Sequence, residues 1–414
     1  MLKYERGEIY LTAKNAEKAG PLSGIRVLDI GVLAAGPFAA TILGDFGAEV
    51  IKVEPPGKGE PLRKVTNSYK DTTLGWFNLS RNKKSITLDL KTTEGQNIFK
   101  ELAGRSDVVI ENFRPGVLEK MGLGYEVLQS VNSRIILARV SGFGQTGPYS
   151  QRGGYDRIGA AFGGLTFVTG YPEYPPVRPG FALVDYMTGM WAAIGVLIAI
   201  HHRDVCGGSG QEIDLALYES AFRVSEDTVS SYHKLGKIRE RAGNEHPVTA
   251  PGNNYITKDG KCLLLTVAND NNFQQLVNAM NRPDLLKNPK FMSQRSRTEN
   301  RREIDGIVSE WIKSKSFEEA FKALEDNRVP VGPVYSIEDI MKDPHYEARR
   351  NIIEVLDEEI GSVKMQGVIP KLSLTPGKVL WGGQKLGQSN QEVYGGLLGY
   401  SQELISSLRS KGVI

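Results

Sequence analysis

The chain has 414 residues, of which 40% are hydrophobic and 24% are charged, and its formal net charge is +3. This length and composition predict a soluble protein with one large domain plus a smaller one, and they exclude a disordered chain. Because charges of both signs are interspersed, nucleic-acid binding and anionic-membrane binding over the whole surface are not expected, and any anion site must be local.

The first half of the chain predicts alternating strands and helices. Residues 1–20 mix Lys, Arg and Glu without an apolar segment, so we expect a surface extension rather than a signal or transit peptide. Short apolar, β-branched runs predict strands at residues 25–30, 49–54, 85–90, 107–111 and 134–140. Helical spacing follows at 37–46, and Thr92 is a suitable N-cap for a further helix. The alternation predicts an α/β fold with a doubly wound parallel sheet and a ligand crevice at the strand ends.

The second half begins with an apolar stretch at residues 187–200. It is shorter than the roughly 20 residues needed to cross a bilayer, so it predicts a buried core helix and no membrane partner. After Gly207 come a glycine-rich turn, a strand and a helix, and then an irregular stretch at 225–254. Later strands and helices predict the smaller domain and a terminal helix, at residues 262–267, 273–280, 301–314, 317–327 and 402–411.

The cysteine content indicates the compartment and argues against a metal site. Cys206 and Cys262 lie far apart, without a CxxC motif or a Cys/His cluster, so neither a disulfide framework nor a zinc site is expected. This usage predicts a cytoplasmic protein without a bound metal.

Asp185 is the most informative single residue, because it opens an apolar helix in the segment FALVDYMTGMWAAIGVLIAI. Buried carboxylates are rare unless they are bonded or functional, since desolvation disfavours their charge. Asp is also a preferred helix N-cap, and the residue pattern leaves the cap and the reactive carboxylate equally open. In either role, the helix start is expected to help the carboxylate keep its charge.

Two further features predict a crevice without naming its occupant. The run VLAAGP, residues 32–37, puts small residues at a helix N-terminus, which suits either anion binding or simple close packing, and it matches no nucleotide-binding motif. Basic and amide residues at predicted loop ends suit either phosphate binding or an ordinary charged surface. They are Arg81, Asn82, Lys83, Lys84, Lys91, Asn112, Arg114 and Lys120.

Seven sequence blocks, in order, resemble the class III CoA-transferase family, which includes formyl-CoA and carnitine CoA-transferases. The likeness runs over nearly the whole chain from Pro21 onward, and the combination of blocks is specific. The blocks are PLSGIRVLDIGVLAAGP, LGDFGAEVIKVEPPGKGE, NKKSITLDLKTTEG, VIENFRPGVLEKMGLGYE, SGFGQTGP, GGYDRIGAAFGGL and VPVGPVYSIEDIMKDPH.

The resemblance implies a domain plan and an oligomeric state. It implies a large Rossmann-like CoA-binding domain at 21–224, a linker and small α/β domain at 225–335, and a C-terminal segment at 336–414 that returns to the large domain. Two such chains interlock in the family, so an obligate homodimer is implied. The catalytic aspartate of the family falls on Asp185, which favours the reactive role over the N-cap.

The resemblance also implies a CoA crevice and a substrate class. By position, the CoA contacts are Leu33, Ala34, Leu88, Asp89, Leu90, Lys91, Asn112, Phe113, Arg114, Lys120, Gly142, Phe143 and Gly144. Lys91 and Lys120 suit the phosphates. A basic residue common in the family after the second strand is replaced by Pro55 and Pro56, so Lys58 or Arg63 is expected to compensate. A glycine-rich lid is absent around 243–252, which argues against formate or oxalate as the substrate.

The segments SQRGGYD and PVRPG are similar to family members that use succinyl-CoA as the donor and a dicarboxylate as the acceptor. We expect the CoA ester to be a substrate, with no tightly bound cofactor, and Arg152, Arg157 and Arg178 to be candidates for binding the distal carboxylate. The implied chemistry is covalent, through an aspartyl anhydride and an aspartyl-CoA thioester.

Two alternatives stand beside CoA transfer. An α-methylacyl-CoA racemase would have a histidine immediately before Asp156, but this chain has Tyr155 there. A tyrosine phenol ionises well above neutral pH and is poorly suited to abstract a proton. The second alternative is a CoA-binding protein without turnover.

Overall fold

The computed structural model describes residues 20–246 and 248–414, so the predicted extension at 1–20 lies, except for Gly20, outside the described residues. The chain forms two compact units. The first contains the described residues up to 165 together with 179–226 and 345–414, and the second contains 166–178 and 227–344. The division predicted from the sequence differs in two respects, because it left 166–178 in the large domain and began the returning C-terminal segment at 336 rather than 345.

The first unit contains a six-stranded sheet with its helices and two short hairpins. Its elements are β1 (Arg26–Asp29), α1 (Ala35–Asp45), β2 (Glu49–Glu54), α2 (Leu62–Val65), β3 (Ser68–Tyr69), β4 (Thr72–Thr73), α3 (Leu74–Leu79), β5 (Lys83–Thr87), α4 (Thr93–Ala103), β6 (Val108–Glu111), α5 (Val117–Lys120), α6 (Tyr125–Val131), β7 (Ile136–Ser141), α7 (Asp156–Phe162), α8 (Leu183–Asp204), β8 (Glu212–Ala216) and α9 (Leu217–Arg223).

The second unit and the C-terminal segment follow in the chain. The second unit contains α10 (Thr228–Leu235), β9 (Gly252–Ile256), β10 (Cys262–Thr266), α11 (Asp270–Met280), a 3-10 helix (Pro283–Lys287), α12 (Gln294–Glu299), α13 (Arg301–Lys313), α14 (Phe317–Asp326), β11 (Val331–Pro333) and α15 (Ile337–Lys342). From residue 345 onward the chain belongs to the first unit again. The elements of this C-terminal segment are α16 (Pro344–Ala348), β12 (Ile352–Asp357), β13 (Gly361–Gln366), a π-helix (Gln391–Leu397) and α17 (Gln402–Ser410).

The main sheet is parallel and has the strand order β5-β2-β1-β6-β7-β8. Every neighbouring pair is parallel, with Val27 of β1 paired to Val50 of β2 on one side and to Val108 of β6 on the other. The predicted α/β fold with a parallel sheet is therefore confirmed. The chain passes from β1 toward one edge and later returns to add β6 on the other side. This reversal places a crevice between the carboxyl ends of β1 and β6.

Helices cover both faces of this sheet, because alternate strand residues point to opposite sides. Val27 and Val108 are buried in a cluster with residues of α1 and α8. Leu28 and Val109 are buried in a second cluster with α4 and α17. Two hydrophobic cores thus sandwich the sheet.

The strand predicted at 85–90 is displaced toward the N-terminus, since β5 ends at Thr87. The backbone N–H of Asp89 donates to the carbonyl of Val413, and the Asp89 carboxylate accepts the N–H of Lys91 at 3.0 Å. These bonds turn the chain away from the sheet before Thr92 caps α4. Leu88, Asp89, Leu90 and Lys91 therefore form a loop at the carboxyl end of β5.

The long helix α8 has 22 residues and two apolar faces. Val184, Ala192 and Val196 are buried, but Ile194 and Ile198 remain 43% and 63% exposed. The prediction of a buried core helix was therefore wrong for the outward face. The helix is long and apolar enough to cross a membrane, but this is weak evidence, because core helices of soluble proteins share these properties.

In the second unit, β9, β10 and β11 form an antiparallel sheet in the order β11-β10-β9. Leu263 on β10 is buried with Phe273 of α11, Ile304 of α13 and Leu324 of α14. The stretch predicted to be irregular contains α10, which ends where Gly236 takes a left-handed conformation with φ 64°. Glycine adopts this conformation without strain.

The C-terminal segment supplies acceptors to the edge strand β5. The N–H of Ser85 donates to Gln384 Oε1, and the N–H of Thr87 donates to Asn390 Oδ1, both at 2.9 Å. An uncovered edge is a template for unwanted strand pairing. These side chains therefore satisfy the free edge of the sheet.

Candidate active site

The loops that follow β1, β6 and β7 meet at the carboxyl end of the sheet. The N–H of Val32 donates to Asn112 Oδ1 at 2.7 Å, and Asn112 Nδ2 donates back to the Val32 carbonyl at 2.8 Å. The backbones of Gly142 and Gly154 are so close that a Cβ on Gly142 would lie 2.7 Å from the Gly154 Cα. Glycine is required at this contact, and it brings the β7 loop against the segment that leads into α7.

The β1 loop is held in an unusual conformation. Leu33 has φ 63°, a value that side chains with a Cβ rarely adopt, and its N–H donates to Glu60 Oε2 at 2.9 Å. Glu60 is 2% exposed, and its other oxygen has no hydrogen-bond partner among residues 20–246 and 248–414. Leu33 and Ala34, both predicted CoA contacts, therefore stand on a rigid loop that leads directly into α1.

Asp185 is the third residue of α8, beside the start of α1. The rings of Phe38 and Tyr186 meet edge to face, with centroids 4.8 Å apart. A Cβ on Gly189 would lie 2.7 Å from the Ala35 carbonyl oxygen, so glycine permits the close packing of the two helices. Asp185 is thus placed at the same end of the sheet as the loops after β1, β6 and β7.

The Asp185 carboxylate has no hydrogen-bond or ion-pair partner within residues 20–246 and 248–414. Burial raises its pKa to about 7, and the charge of Asp156 adds to this rise. The expectation that a helix start would help Asp185 keep its charge is therefore wrong. Two of the N–H groups at the start of α8 that could stabilise its charge are already bonded to Asp156.

Asp156, on α7, caps the helix that carries Asp185. Its Oδ1 accepts the N–H of Val184 at 2.8 Å and the N–H of Asp185 at 3.2 Å, while the N-cap residue Ala182 has no side-chain acceptor. The N-cap alternative for Asp185 is therefore excluded. The capping role of Asp156 was not predicted, although an aspartate at the first position of a helix is a usable signal for a cap.

The other predicted CoA contacts lie on the loops at these strand ends. Leu90 and Phe113 pack against one hydrophobic core, and the N–H of Phe113 donates to Glu111 Oε2 at 2.6 Å. An Arg114 guanidinium nitrogen would be 3.0 Å from a Cβ on Gly153, so Arg114 crosses to the segment before α7.

The remaining predicted CoA contacts are two lysines and the loop that follows β7. Lys91 and Lys120 are exposed, and within the described parts of the chain their ammonium groups have no partner. Phe143, between Gly142 and Gly144, packs with the rings of Phe162 and Tyr218 at centroid distances of 5.2 and 6.3 Å. The loop is therefore anchored by its aromatic residue while its glycine backbone faces the segment before α7.

The three arginines predicted to bind a carboxylate are not equivalent. The Arg152 guanidinium stacks on Tyr149 at 3.7 Å from the ring centroid. Arg157 is exposed on α7, directly after Asp156. Arg178 belongs to the second unit.

Several basic residues considered for phosphate binding have structural roles instead. Arg63 donates to Glu54 at 2.6 Å and lies 3.6 Å from the Trp76 ring centroid, so its guanidinium is already engaged. Lys58 is exposed. Lys83 is buried and bound to Asp29 at 2.9 Å, and Arg81 is bound to Asp45. Lys83 is the first residue of β5, but its ammonium group reaches Asp29 at the carboxyl end of β1, so it supports the crevice from below and is not open to a ligand.

A cavity of about 1020 Å³ lies elsewhere in the first unit, between the segments near Lys70, Glu359 and Gln384. Asp185 is not among its lining residues. Within the described ranges, no group of three or more His, Cys, Asp or Glu side chains is placed to hold a metal ion.

The fold and the site define an α/β protein with a partner-free carboxylate at the crevice of a parallel sheet. The model of CoA-transferase family III matches residues 22–390. The chain therefore belongs to CoA-transferase family III. The resemblance seen in the sequence blocks is confirmed, and with it the assignment as an enzyme that transfers CoA.

Individual relatives agree with this membership. The chain is 44% identical to succinyl-CoA–D-citramalate CoA-transferase of Chloroflexus aurantiacus, over 95% of this chain and 98% of that protein. It is 45% identical to the beta subunit of succinyl-CoA–L-malate CoA-transferase of the same organism, with the same coverage. The crystal structure of a CAIB/BAIF family protein from Brucella suis matches with TM-score 0.83 and 31% identity, over 92% of this chain and 100% of that one.

Proposed function

We propose that this enzyme moves CoA from succinyl-CoA to a dicarboxylic acid, with Asp185 as the nucleophile. The observation that carries the proposal is the Asp185 carboxylate itself, which is partly buried, lacks any partner in the described residues and lies at the same end of the sheet as the glycine-rich loops of the crevice. A structural carboxylate in such a place would be paired. A carboxylate without a hydrogen-bond or ion-pair partner is available to react.

The chemistry proceeds by covalent exchange at Asp185. The carboxylate attacks the thioester carbonyl of succinyl-CoA, and the CoA thiolate leaves, which gives an aspartyl–succinyl anhydride. The thiolate attacks the aspartyl carbonyl and releases succinate, so an aspartyl-CoA thioester remains. The acceptor carboxylate then attacks that carbonyl and expels the thiolate, and the thiolate finally takes the new acyl group and frees Asp185. The thioester energy is conserved without ATP.

The CoA moiety would lie along the loops after β1, β5, β6 and β7. The proposed contacts are Leu33, Ala34, Leu88, Asp89, Leu90, Lys91, Asn112, Phe113, Arg114, Lys120, Gly142, Phe143 and Gly144. The exposed ammonium groups of Lys91 and Lys120 suit the phosphates, because they have no competing carboxylate in the described chain. Lys58 is the better candidate than Arg63 to replace the basic residue lost at Pro55.

The names of the two relatives from Chloroflexus support the acid pair. Both are named for succinyl-CoA as one substrate, with citramalate or malate as the other. We propose Arg152 and Arg157 as ligands for the distal carboxylate, since both lie in the segment that contains Asp156. Arg178, in the second unit, stays a prediction from the sequence.

We also propose that the first unit is a Rossmann-like domain and that two chains interlock as a homodimer. The exposed apolar face of α8, with Met190, Trp191, Ile194, Leu197 and Ile198, supports the dimer, because a monomer would leave these side chains in water. Light scattering should give about 91 kDa, twice the chain mass of 45.5 kDa. A mass of one chain would contradict the dimer. Two free cysteines are compatible with the proposed cytoplasmic location.

A substrate panel tests the function. The purified protein is incubated with succinyl-CoA and one free acid at a time, including citramalate, malate, glutarate, itaconate, mesaconate and formate, and the CoA esters are separated by chromatography. A new dicarboxyl-CoA ester with stoichiometric succinate is expected. Tight CoA binding without a new ester from any acid would refute transfer, and solvent deuterium at the α-carbon of a branched acyl-CoA would indicate a racemase.

Trapping tests the nucleophile. With succinyl-CoA present, hydroxylamine or borohydride should modify Asp185, and peptide mapping should locate the change there. The Asp185→Asn variant should show no modification, whereas Glu318→Gln, which alters an exposed carboxylate on α14, should be modified like the wild type. Modification of another carboxylate would overturn the assignment.

A further inference from the structure

Asp156 is bound to the backbone of the proposed nucleophile from a separate helix. It is the first residue of α7, and its Oδ1 accepts the N–H groups of Val184 and Asp185 at 2.8 and 3.2 Å. α8 has no acceptor of its own, because Ala182 stands at its N-cap. The first turn of α8 is thus fixed by a residue that is 29 positions away in the chain.

The same contacts change the electrostatics of Asp185. The free N–H groups at a helix start normally stabilise a nearby negative charge. Asp156 occupies two of these groups and also adds a negative charge of its own. After burial, that charge is the other cause of the raised pKa of Asp185.

We propose that Asp156 is a positioning residue for CoA transfer, which orients the first turn of α8 and holds a second negative charge beside Asp185. This inference rests on the proposed role of Asp185 as nucleophile. A more basic carboxylate attacks a thioester more readily, provided that it is ionised. Wild-type kcat/KM should therefore rise with pH along an acidic limb whose midpoint lies close to 7.

The other groups near Asp185 do not offer a competing explanation. Tyr186, its neighbour on α8, has a pKa that burial and the Asp185 charge raise, so it stays neutral around pH 7. On α1, the ionisable residue is Asp45, at the far end and bound to Arg81. On α9, Glu219 accepts the N–H of Ala216 at 2.8 Å.

α9 also carries Tyr218, which packs in the aromatic cluster with Phe162, and Arg223 at its C-terminal end. Arg157, which follows Asp156 on α7, is exposed to solvent. Neither arginine perturbs the pKa of Asp185, because burial and Asp156 are its only causes among the described residues.

The Asp156→Asn variant separates charge from capping. Asparagine retains an oxygen that accepts both N–H bonds, but it has no negative charge. We expect the acidic limb of kcat/KM to move down by about one pH unit and kcat on the alkaline plateau to fall several-fold. Asp156→Glu, which keeps the charge, should restore the wild-type limb. An Asp156→Asn profile that superimposes on the wild-type profile would overturn the proposal.

Glu219→Gln is the matched control. Glu219 also caps a helix with its carboxylate, on the neighbouring α9, yet it does not contribute to the pKa of Asp185. Loss of the Glu219 charge should leave the midpoint of the acidic limb of kcat/KM unchanged. A shift as large as that of Asp156→Asn would show that any loss of a capping charge moves the limb, which contradicts a specific role for Asp156.

A direct titration keeps the inference separate from the proposed function. The ionisation of Asp185 is followed by infrared difference spectroscopy of the protein without substrate, with Asp185→Asn as the subtraction reference. We expect a wild-type midpoint close to 7 and a lower one in Asp156→Asn. A wild-type midpoint in the ordinary carboxyl range, near 4, would refute the inference even if the variant fails to fold. If trapping labels another residue, the proposed function fails instead, whatever the titration gives.

Discussion

Asp29 and Asp185 are two aspartates of the same unit with opposite environments. Asp29 is fully buried, yet Lys52 and Lys83 approach its two oxygens at 3.2 and 2.9 Å. Burial opposes its charge, but the two lysines outweigh that cost and hold the pKa of Asp29 below its usual range. Asp185 has no cation beside it in the described part of the chain, and burial together with Asp156 raises its pKa to about 7. A structural carboxylate is accompanied by its counter-charges, whereas the proposed nucleophile has none.

The network around Asp29 also supports the crevice. Lys52 donates to the carbonyl of Gly31 as well as to Asp29, and Gly31 precedes the loop that holds Leu33. Lys52 therefore ties the start of this loop to Asp29, whereas the Asp185 carboxylate has no counter-charge among the described residues. The contrast predicts that mutations at the two aspartate sites act differently, on stability at one and on turnover at the other.

The largest expected effect is the loss of turnover in Asp185→Asn. Removing the nucleophile should lower kcat by at least about 10⁴-fold, because both covalent intermediates of the proposed reaction form on this carboxylate. Steady-state assays with the best acceptor of the panel measure this, and circular dichroism checks the fold. The matched Glu318→Gln variant should retain full activity. Residual activity within tenfold of the wild type would contradict nucleophilic catalysis by Asp185.

The next effect is on stability, at the paired aspartate. Lys83→Met should lower the free energy of unfolding by about 3–5 kcal/mol, because Asp29 keeps one cation in place of two and the Pro37 carbonyl keeps only the Thr41 hydroxyl of its two side-chain donors. Chemical denaturation at pH 7 measures the change.

Lys84→Met, next to it in β5, is the matched control. Lys84 is partly exposed and pairs with Glu49 and Glu392 at 2.6 and 2.7 Å, so its loss should cost less than about 1 kcal/mol. Equal losses in the two variants would contradict the distinction between a buried and a surface ion pair.

The third prediction concerns the sign of the pH dependence. The folded-state pKa of Asp185 is about 7, above the ordinary value of 3.8 that applies to the unfolded chain. Its proton therefore stabilises the fold fully below pH 3.8, and this contribution is lost as the pH rises through 7. Between pH 5 and pH 8 the wild type should lose about 2–3 kcal/mol relative to Asp185→Asn.

Asp29 has the opposite linkage. Because its folded-state pKa is lowered, Asp29 stabilises the fold above its unfolded-state pKa, and this stability is lost only as the pH falls through the folded-state pKa.

The prediction for Asp185 is measured by chemical denaturation of the wild type and of Asp185→Asn at pH 5 and at pH 8, which gives the difference in stability between the two proteins at each pH. A pH-independent difference would show that the Asp185 carboxyl is not perturbed by its surroundings.

Much of the fold follows from sequence periodicity, and the predictions that were wrong failed for physical reasons. The alternation of strands and helices predicted the parallel sheet. α8 was expected to be buried because its sequence is apolar all round, and periodicity cannot separate a core face from an exposed apolar face. The displaced end of β5 depends on the bond from Asp89 to the Val413 carbonyl, a contact between distant parts of the chain.

The site residues show the same limit, because the sequence does not reveal which distant residues they contact. Asp185 was found from its apolar surroundings and from the family blocks, but its protonation was misjudged, because the cap at Val184 comes from Asp156 on another helix. Lys83 was taken for a possible phosphate ligand, since a buried lysine and an exposed one look alike in a sequence. Its partner Asp29 lies 54 residues earlier in the chain, on another strand. Partners that only the tertiary fold brings together decide the charge of each group.

The smallest predicted effect lies at Glu60, a carboxylate intermediate between the two aspartates. It is buried like Asp29, but backbone N–H groups hold it rather than lysines, with Leu33 and Leu62 donating to Oε2 at 2.9 and 3.2 Å. In Glu60→Gln an oxygen can still accept these bonds, although without its charge, so the β1 loop should loosen slightly. We expect KM for the acyl-CoA to rise about three- to tenfold, which corresponds to about 1 kcal/mol, with kcat nearly unchanged. Steady-state kinetics with varied acyl-CoA separate the two parameters. A fall in kcat at constant KM would place Glu60 with Asp185 in the chemistry, rather than with Asp29 in the support of the loop.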